Sequence, residues 1–496
     1  MNNKKILCIG NNTEDTDTRA RTIAAAHKLK YCGLITEIIA VTAGCHQTSI
    51  YDMSYGDLIE VSAHFDEIII LDQNKDTFLD EHAFYQTISL GKQLKSEYNV
   101  TFLDSTYDNI IEDELRTNKS ICILPFIQSV TIDGNMQLCC LSNTPISEFD
   151  TTIKFSDDSE RNFVKQQMLA GNKLNQYCST CYALEEKEIV SQRIFETIEW
   201  SKKLNLKNIT EFAIIKDPVY YEIRASNKCN LMCRMCSPKH SSLIETENET
   251  IKFFDDIKYR FTGFDHINIH TMEKLCVVGG EPTIMPELYI FLEDCISKKQ
   301  TELPIQVITN ATVLPKKFKE LIKHFSNFSF IISVDGFDSI NQYIRWPTNW
   351  QKMVSNIDYL VDNGHKISLH SVLSIYNITS IHLVIEFFTN RYKTMPSFGV
   401  GMKEVAFKNN MLSPYIFPYA DMVIQNLLKI TDFGIYKNDM VLQSKIDSYL
   451  DYFTNKHTID LKALAEFFDY NDKLDQSRGS KLVDYIPELE QCRQLL

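Results

Sequence analysis

The chain of 496 residues holds 14 cysteines, and three of them, Cys229, Cys233 and Cys236, form a C-x3-C-x2-C array. The array follows a strand-like run at 219–224, so all three thiols can converge on one loop. A four-iron cube normally takes four cysteines. Three on a tight loop therefore suit a cluster with one iron left open for a small chelating ligand. Zinc is the competing reading, but structural zinc wants four N/S ligands in C-x2-C pairs, and only His240 is near enough to complete the set locally. Three unrelated buried cysteines are the plainest alternative.

A second constellation precedes the first. Cys122 and Cys139 bracket Gly134 in a C-x11-G-x4-C pattern with Cys140 alongside, and Cys178 and Cys181 form a later C-x2-C pair. Asp133-Gly134 reads as a hairpin turn, so hairpin and pair can supply four thiolates to one site, for which zinc is again a serious alternative. Cys8, Cys32 and Cys45 share no ligand spacing. Cys276 and Cys295 read as small core residues, and Cys492 stands alone.

The C-x3-C-x2-C loop after a strand, followed by Val277-Val278-Gly279-Gly280-Glu281-Pro282, resembles the radical S-adenosylmethionine (SAM) superfamily. The resemblance implies a 4Fe-4S cluster held by Cys229, Cys233 and Cys236, with SAM chelated to the open iron. One electron from the cluster would cleave SAM to methionine and a 5'-deoxyadenosyl radical, which abstracts hydrogen from a substrate. It also implies that Gly279, Gly280, Glu281 and Pro282 lie near the SAM amino group. Ser333, Asp335 and Arg345 match an S-x-D-G…R pattern flanking ribose and carboxylate, and Asn310 ends a strand beside them. The position before the third cysteine, usually aromatic and packed near adenine, is Met235, whose thioether can pack there too. The plain readings are a turn for Asp335-Gly336 and a surface ion pair for Arg345. The glycine pair makes physical sense as a place where backbone approaches a ligand closely.

The earlier cysteines resemble the twitch or SPASM half-domains that bind auxiliary clusters in such enzymes, and 185–193 resembles their E…S-x-R tail. By that resemblance Cys122, Cys139, Cys178 and Cys181 hold a second 4Fe-4S cluster, with Cys140 as spare or substitute. In many relatives the auxiliary domain follows the catalytic one; here it comes first.

The elements that must position these residues are α/β throughout. Residues 1–110 alternate strands at 5–10, 37–42, 67–71 and 100–103 with helices at 18–31, 57–64 and 84–98, which predicts an open parallel, Rossmann- or flavodoxin-like domain. Its ligand loops would be 10–17 and 46–52, at strand carboxyl ends, although a polar Asn/Asp/Thr loop is as often a helix cap. The twitch-like segment spans 118–200. From 215 to 410, six strand-like runs (219–224, 275–278, 305–309, 328–334, 367–374 and 398–405) predict a partial (β/α)6 barrel, with catalytic groups at strand C-termini. Residues 411–496 read as a helical region, in which 467–479 and 486–489 resemble the tails of twitch-containing members.

The net charge of -14 argues against a phosphate grip on nucleic acid. No apolar run reaches the ~18 residues of a membrane span, and the start lacks a signal peptide's long apolar stretch. Cytoplasmic location follows as an expectation, with thiolate ligands and free thiols instead of disulfides. The reading is therefore a radical SAM enzyme with a reducing electron donor such as flavodoxin or ferredoxin. A peptide or protein substrate is slightly favoured over a small molecule (sugar, nucleotide or carrier-linked) held by the N-terminal domain, and a non-catalytic metal-binding scaffold is a remote third reading.

Overall fold

The computed structural model describes residues 110–392 except 133, 143, 151–152, 187–190 and 256–260, then 396–400, 411–431, 450, 453–454 and 459–496, and in 1–109 the backbone of five strands. The chain divides into two units, 1–109 with 421–457 and 110–420 with 458–496.

In the first unit β1 (Lys5–Asn11), β2 (Glu37–Ala43), β3 (Asp52–Met53), β4 (Glu67–Asp72) and β5 (Val100–Asp104) form a sheet of order β3-β2-β1-β4-β5 with parallel pairing throughout. Near-continuous Ile/Val/Leu runs such as EIIILD are what a parallel strand needs when both faces are covered. The strand order reverses between β1 and β4, where such sheets open their ligand crevice. Most of the expected ligand loops, at 12–17 and 46–51, and the three expected helices lie outside the described residues.

The second unit is built on one nine-stranded sheet of order β14-β13-β12-β11-β10-β9-β6-β7-β8. Its strands are β6 (Gln128–Ile132), β7 (Asn135–Gln137), β8 (Ser147–Glu148), β9 (Tyr220–Arg224), β10 (Lys274–Val278), β11 (Ile305–Thr309), β12 (Phe328–Ser333), β13 (Lys366–Leu373) and β14 (Pro396–Val400). From β6 across to β14 the pairing is parallel; the β6–β7 and β7–β8 pairs are antiparallel. The six barrel strands stand where the hydrophobic runs put them; of the expected last run, 401–405 lies outside the described residues.

The period-two pleat sorts the faces. Phe328, Phe330 and Ile332 are buried while Ser329, Ile331 and Ser333 are half-buried. Phe318 packs its ring against both Phe328 and Phe330, so a helix covers the apolar face. Register puts Glu222, Cys276, Gln306 and Ser329 in one row on the opposite face.

The principal helices are α1 (Ser159–Leu169), α2 (Asn175–Glu185), α3 (Gln192–Lys203), α4 (Ser242–Ile251), α5 (Pro286–Ser297), α6 (Lys316–Ile322), α7 (Ser339–Ile344), α8 (Trp350–Asp362), α9 (Ile381–Tyr392) and α10 (Leu461–Arg478). Helix α10 has a clear local cause. Asp460 caps its first turn by accepting from Ala463 N, and Gly479 at φ 63° ends it, the left-handed stop that glycine adopts without a Cβ penalty.

The glycine pair after β10 makes a close backbone approach of its own, to the cysteine loop. Gly280 N donates to Ser226 O at 2.9 Å and Glu281 N to Lys228 O at 2.8 Å, so the pair docks on backbone leading into Cys229. A Cβ on Gly280 would lie 2.2 Å from Lys228 O, and one on Gly279, whose φ is 139°, 2.6 Å from Ser226 O. Gly280→Ala is therefore expected to destabilise the protein by about 1–3 kcal/mol, the cost of overpacking against atoms that cannot move aside. Gly263→Ala, whose Cβ would meet only Asp265 Oδ2 at 3.7 Å, should leave the urea midpoint unchanged, and equal midpoints for the two variants would contradict the docking argument.

Candidate metal centres

The first centre lies in the loop between β9 and α4. Cys236 N donates to Cys233 O at 3.0 Å, folding the last two cysteines into a turn. Leu231 N donates to Cys229 Sγ at 3.5 Å. The thiols lie within electrostatic reach of one another. Cys229 is pushed up to about 12 by burial and then by the charges of Cys233 and Glu281. Burial also raises Cys236, followed by the charges of Cys233 and Cys229. His240, the possible local fourth ligand for zinc, instead sits against the Arg224 guanidinium.

The residues at the strand ends brace this loop. Glu281 is fully buried. Its Oε1 accepts from Thr283 N, Thr283 Oγ1 and Thr309 Oγ1, and its Oε2 accepts from Asn310 N. Burial raises its pKa, and these donors oppose the rise. Asn310 Nδ2 in turn donates to Asn230 Oδ1, inside the cysteine loop, at 3.0 Å. Thus Glu281 and Asn310 join the ends of β10 and β11 to the thiols. Pro282 opens a buried turn after Glu281, Ser333 is half-buried at the end of β12, and Met235 is half-buried in the loop.

Asp335 and Arg345 do not form the surface ion pair of the plain reading. Asp335 is fully buried, with Arg345 Nη2 2.5 Å from its Oδ2, and its Oδ1 accepts from Val372 N at 2.7 Å. Arg345 Nη1 points at Cys233 Sγ from 4.0 Å. Burial raises Cys233, and the charges of Arg345 and Arg478 pull it back down.

Arg234, between the second and third cysteines, is fully buried. Its Nε donates to Tyr343 O at 3.1 Å, Nη1 to Asn471 Oδ1 at 2.8 Å, and Nη2 to Asp475 and to Ser480 Oγ at 3.0 Å. Its guanidinium also stacks 3.6 Å over the Tyr343 ring. A buried charge is tolerated only when paired and hydrogen-bonded, and α10 and the turn after it supply most of the partners. The loop backbone is held as well, by Met232 N to Trp346 O at 2.6 Å and Arg234 N to Ile344 O at 2.7 Å.

The second centre is a cavity lined by Cys122, Cys139, Cys178 and Cys181 together with Leu124, Met168 and Arg193. Cys122 leads into β6 and Cys139 follows β7, while Cys178 and Cys181 sit at i and i+3 on α2, where both face one way. Burial pushes Cys178 up to about 12 and raises Cys122. Cys140 is exposed and does not line the cavity; its Sγ lies 3.5 Å from Nε2 of Gln192, which does. Arg193 closes the cavity wall. Its Nε and Nη2 donate to Glu185 at 2.8 and 2.6 Å, and its Nη1 donates to Ile121 O at 2.7 Å. Ser191 Oγ donates to Glu185 too, so the three residues of the E…S-x-R tail form one knot between α2, α3 and the Cys122 segment.

Residues 223–388 match the Radical SAM superfamily model. This matched segment is similar to radical SAM domains. It contains the three cysteines, the glycine pair, Asp335 and Arg345, and members of the superfamily use a 4Fe-4S cluster and SAM. Among similar proteins, a GTP 3',8-cyclase of Campylobacter jejuni is 25% identical over 170 residues, 33% of this chain and 50% of the relative. One from Campylobacter lari is 26% identical over 102 residues, 21% of this chain and 30% of the relative. The chain thus spans half or less of the length of these curated relatives. Among solved structures, native anSMEcpe with bound AdoMet gives a TM-score of 0.35 at 17% identity, covering 45% of this chain and 62% of that one. Streptococcus suis SuiB bound to S-adenosylmethionine gives 0.30 at 15% identity, covering 58% and 63%. Likenesses of that size decide nothing further about this chain.

The residues at the first centre fit a cluster that keeps one iron open. Three thiols share one loop, and beside Cys233 two buried guanidinium nitrogens, Arg345 Nε and Arg478 Nη1, have no hydrogen-bond acceptor among the described residues. An anionic, sulfur-rich group is the acceptor they lack. At the second centre four thiols line one cavity. Among the described residues, no three His, Cys, Asp or Glu side chains converge closely enough to hold a single metal ion.

Pairing between Cys233 and Arg345, and the whole Arg234 network, escape sequence reasoning because their partners lie far along the chain. The one local signal was an arginine between two ligand cysteines, a charge that must be either exposed or paired. The buried Arg193–Glu185 pair yields a direct expectation. Arg193→Met strands the Glu185 carboxylate and should lower stability by roughly 3 kcal/mol, the scale for breaking a buried pair, as read by urea denaturation. A loss under about 0.5 kcal/mol, the range of an exposed pair, would show that the knot is incidental.

Proposed function

We propose that this chain is a radical SAM enzyme whose Cys229, Cys233 and Cys236 hold a 4Fe-4S cluster and whose Cys122, Cys139, Cys178 and Cys181 hold a second one. The observation that carries the reading is the three-thiol loop pinned by the glycine pair and by Asn310, inside the segment that matches the superfamily. A cluster held there, given one electron by a small reductant protein such as flavodoxin or ferredoxin, would supply the reductive cleavage of SAM to methionine and a hydrogen-abstracting 5'-deoxyadenosyl radical.

The chain's own part is positional. Glu281, with its four hydrogen bonds, keeps the β10 and β11 ends at a fixed distance from the cysteine loop. Gly279, Gly280, Pro282, Ser333 and Met235 form the stretches at which SAM would be seated, and Arg345, held by Asp335, presents its donors to the Cys233 side. The polar row of Glu222, Cys276, Gln306 and Ser329 faces the substrate side of the sheet. A peptide or protein is the favoured substrate, in keeping with the four-thiol segment's resemblance to half-domains found in peptide-modifying enzymes. A small molecule is the second reading, supported by the nucleotide named in the curated relatives and by the β3-β2-β1-β4-β5 sheet, an order that suits nucleotide binding.

Cys229→Ala, Cys233→Ala and Cys236→Ala are each expected to abolish 5'-deoxyadenosine formation from SAM and dithionite while retaining the iron of the other centre. Cys178→Ala should lower bound iron by about half, one of two four-iron clusters, and still form 5'-deoxyadenosine. Undiminished cleavage in any of the first three variants would refute the ligand set, and total loss in the fourth would refute the independence of the two centres.

A further inference from the structure

The last turn of α10 reaches the first centre. Arg478 is almost fully buried, and its Nε and Nη2 donate to Glu247 Oε1 and Oε2 at 2.9 and 2.6 Å. Ser477 Oγ donates to the same carboxylate at 3.0 Å. The guanidinium also lies 5.6 Å over the ring of Trp346, the residue whose carbonyl accepts from Met232 N in the cysteine loop. So α4 and the Trp346 segment fix the orientation of this side chain. The remaining nitrogen, Nη1, is buried and has no acceptor among the described residues.

Two facts say where that nitrogen belongs. Arg478 packs over Trp346, whose carbonyl holds Met232 N, the residue next to Cys233. Arg345 reaches Cys233 from another element, α7 and its end, and also keeps one nitrogen unpartnered. A fixed, desolvated donor with nothing to bind beside a thiol is an incomplete arrangement, since buried N–H groups are nearly always paired.

Resting on the cluster reading above, we propose that Arg478 donates through Nη1 to a sulfur of the cluster held at Cys233, so that the chain's last long helix tunes the reduction potential of the radical-generating centre. Donors and positive charge at the sulfurs stabilise the reduced form, which carries one more negative charge, and so raise the potential. Arg478 touches neither substrate nor reacting carbon; it acts through the cluster.

The test is a potentiometric titration of the reconstituted full-length protein, followed by the electron paramagnetic resonance signal of the centre that responds to SAM. Arg478→Gln is expected to retain iron and shift the midpoint to a more negative value, with 5'-deoxyadenosine formation slowed at a weak reductant but restored by a stronger one. Arg493→Gln removes a half-exposed arginine that pairs with Asp472 of the same helix and should leave the midpoint at the wild-type value. An unshifted midpoint in a fully loaded Arg478→Gln protein would overturn the proposal. If that variant holds no iron, Arg478→Lys decides: an intermediate midpoint supports the assignment and a wild-type midpoint overturns it. A wild-type protein without any SAM-responsive signal would instead sink the cluster reading itself, which keeps the two failures distinct.

Discussion

A single buried guanidinium, that of Arg234, ties the second unit together. It sits inside the cysteine array, where a free charge would be costly, and every one of its nitrogens finds a partner outside the array. Burying an ion takes several kcal/mol even after relaxation, so the loop can adopt its fold only if Tyr343, Asn471, Asp475 and Ser480 are already in place. Tyr470 Oη closes the circuit by donating back to Arg234 O at 3.1 Å. The conformation of three ligands near residue 233 thus depends on a helix that begins at Leu461.

The same device recurs at the other centre. Arg193 with Glu185 and Arg478 with Glu247 are both two-pronged, largely buried arginine–glutamate pairs beside cysteines. Such forks fix orientation as well as charge. Each pair joins two helices: α2 with α3 at the cavity, α4 with α10 near the cysteine loop. Because β6 pairs with β9 directly, the two groups of thiols also share one sheet, and Glu222 of β9 lies across from Val130 of β6 between them.

Much of this was legible in the sequence. The six barrel strands and the parallel N-terminal sheet follow from apolar runs, which are local. The cysteine spacings marked which thiols the fold gathers, and the glycine pair marked a close backbone approach, which the fold makes at Ser226 and Lys228. Three things were not legible. Register decides that β6 extends the barrel sheet, and no local pattern encodes a partner some ninety residues away. The choice between Cys139 and Cys140 turns on which way adjacent side chains point, and Cys139 lines the cavity while Cys140 is exposed. The bonds from Arg234 and Arg478 to and from α10 join residues more than two hundred positions apart, so spacing carries no trace of them.

The central claim, that Cys229, Cys233 and Cys236 hold a cluster with one iron open to SAM, has a direct spectroscopic test. The protein would be reconstituted without oxygen, reduced with dithionite and its electron paramagnetic resonance spectrum recorded with and without SAM. Chelation at the open iron changes the symmetry of that cluster, so a change in one reduced-cluster signal on adding SAM is the expected result, absent in Cys233→Ala. A wild-type spectrum that is identical with and without SAM, in protein carrying its full iron, would contradict the account.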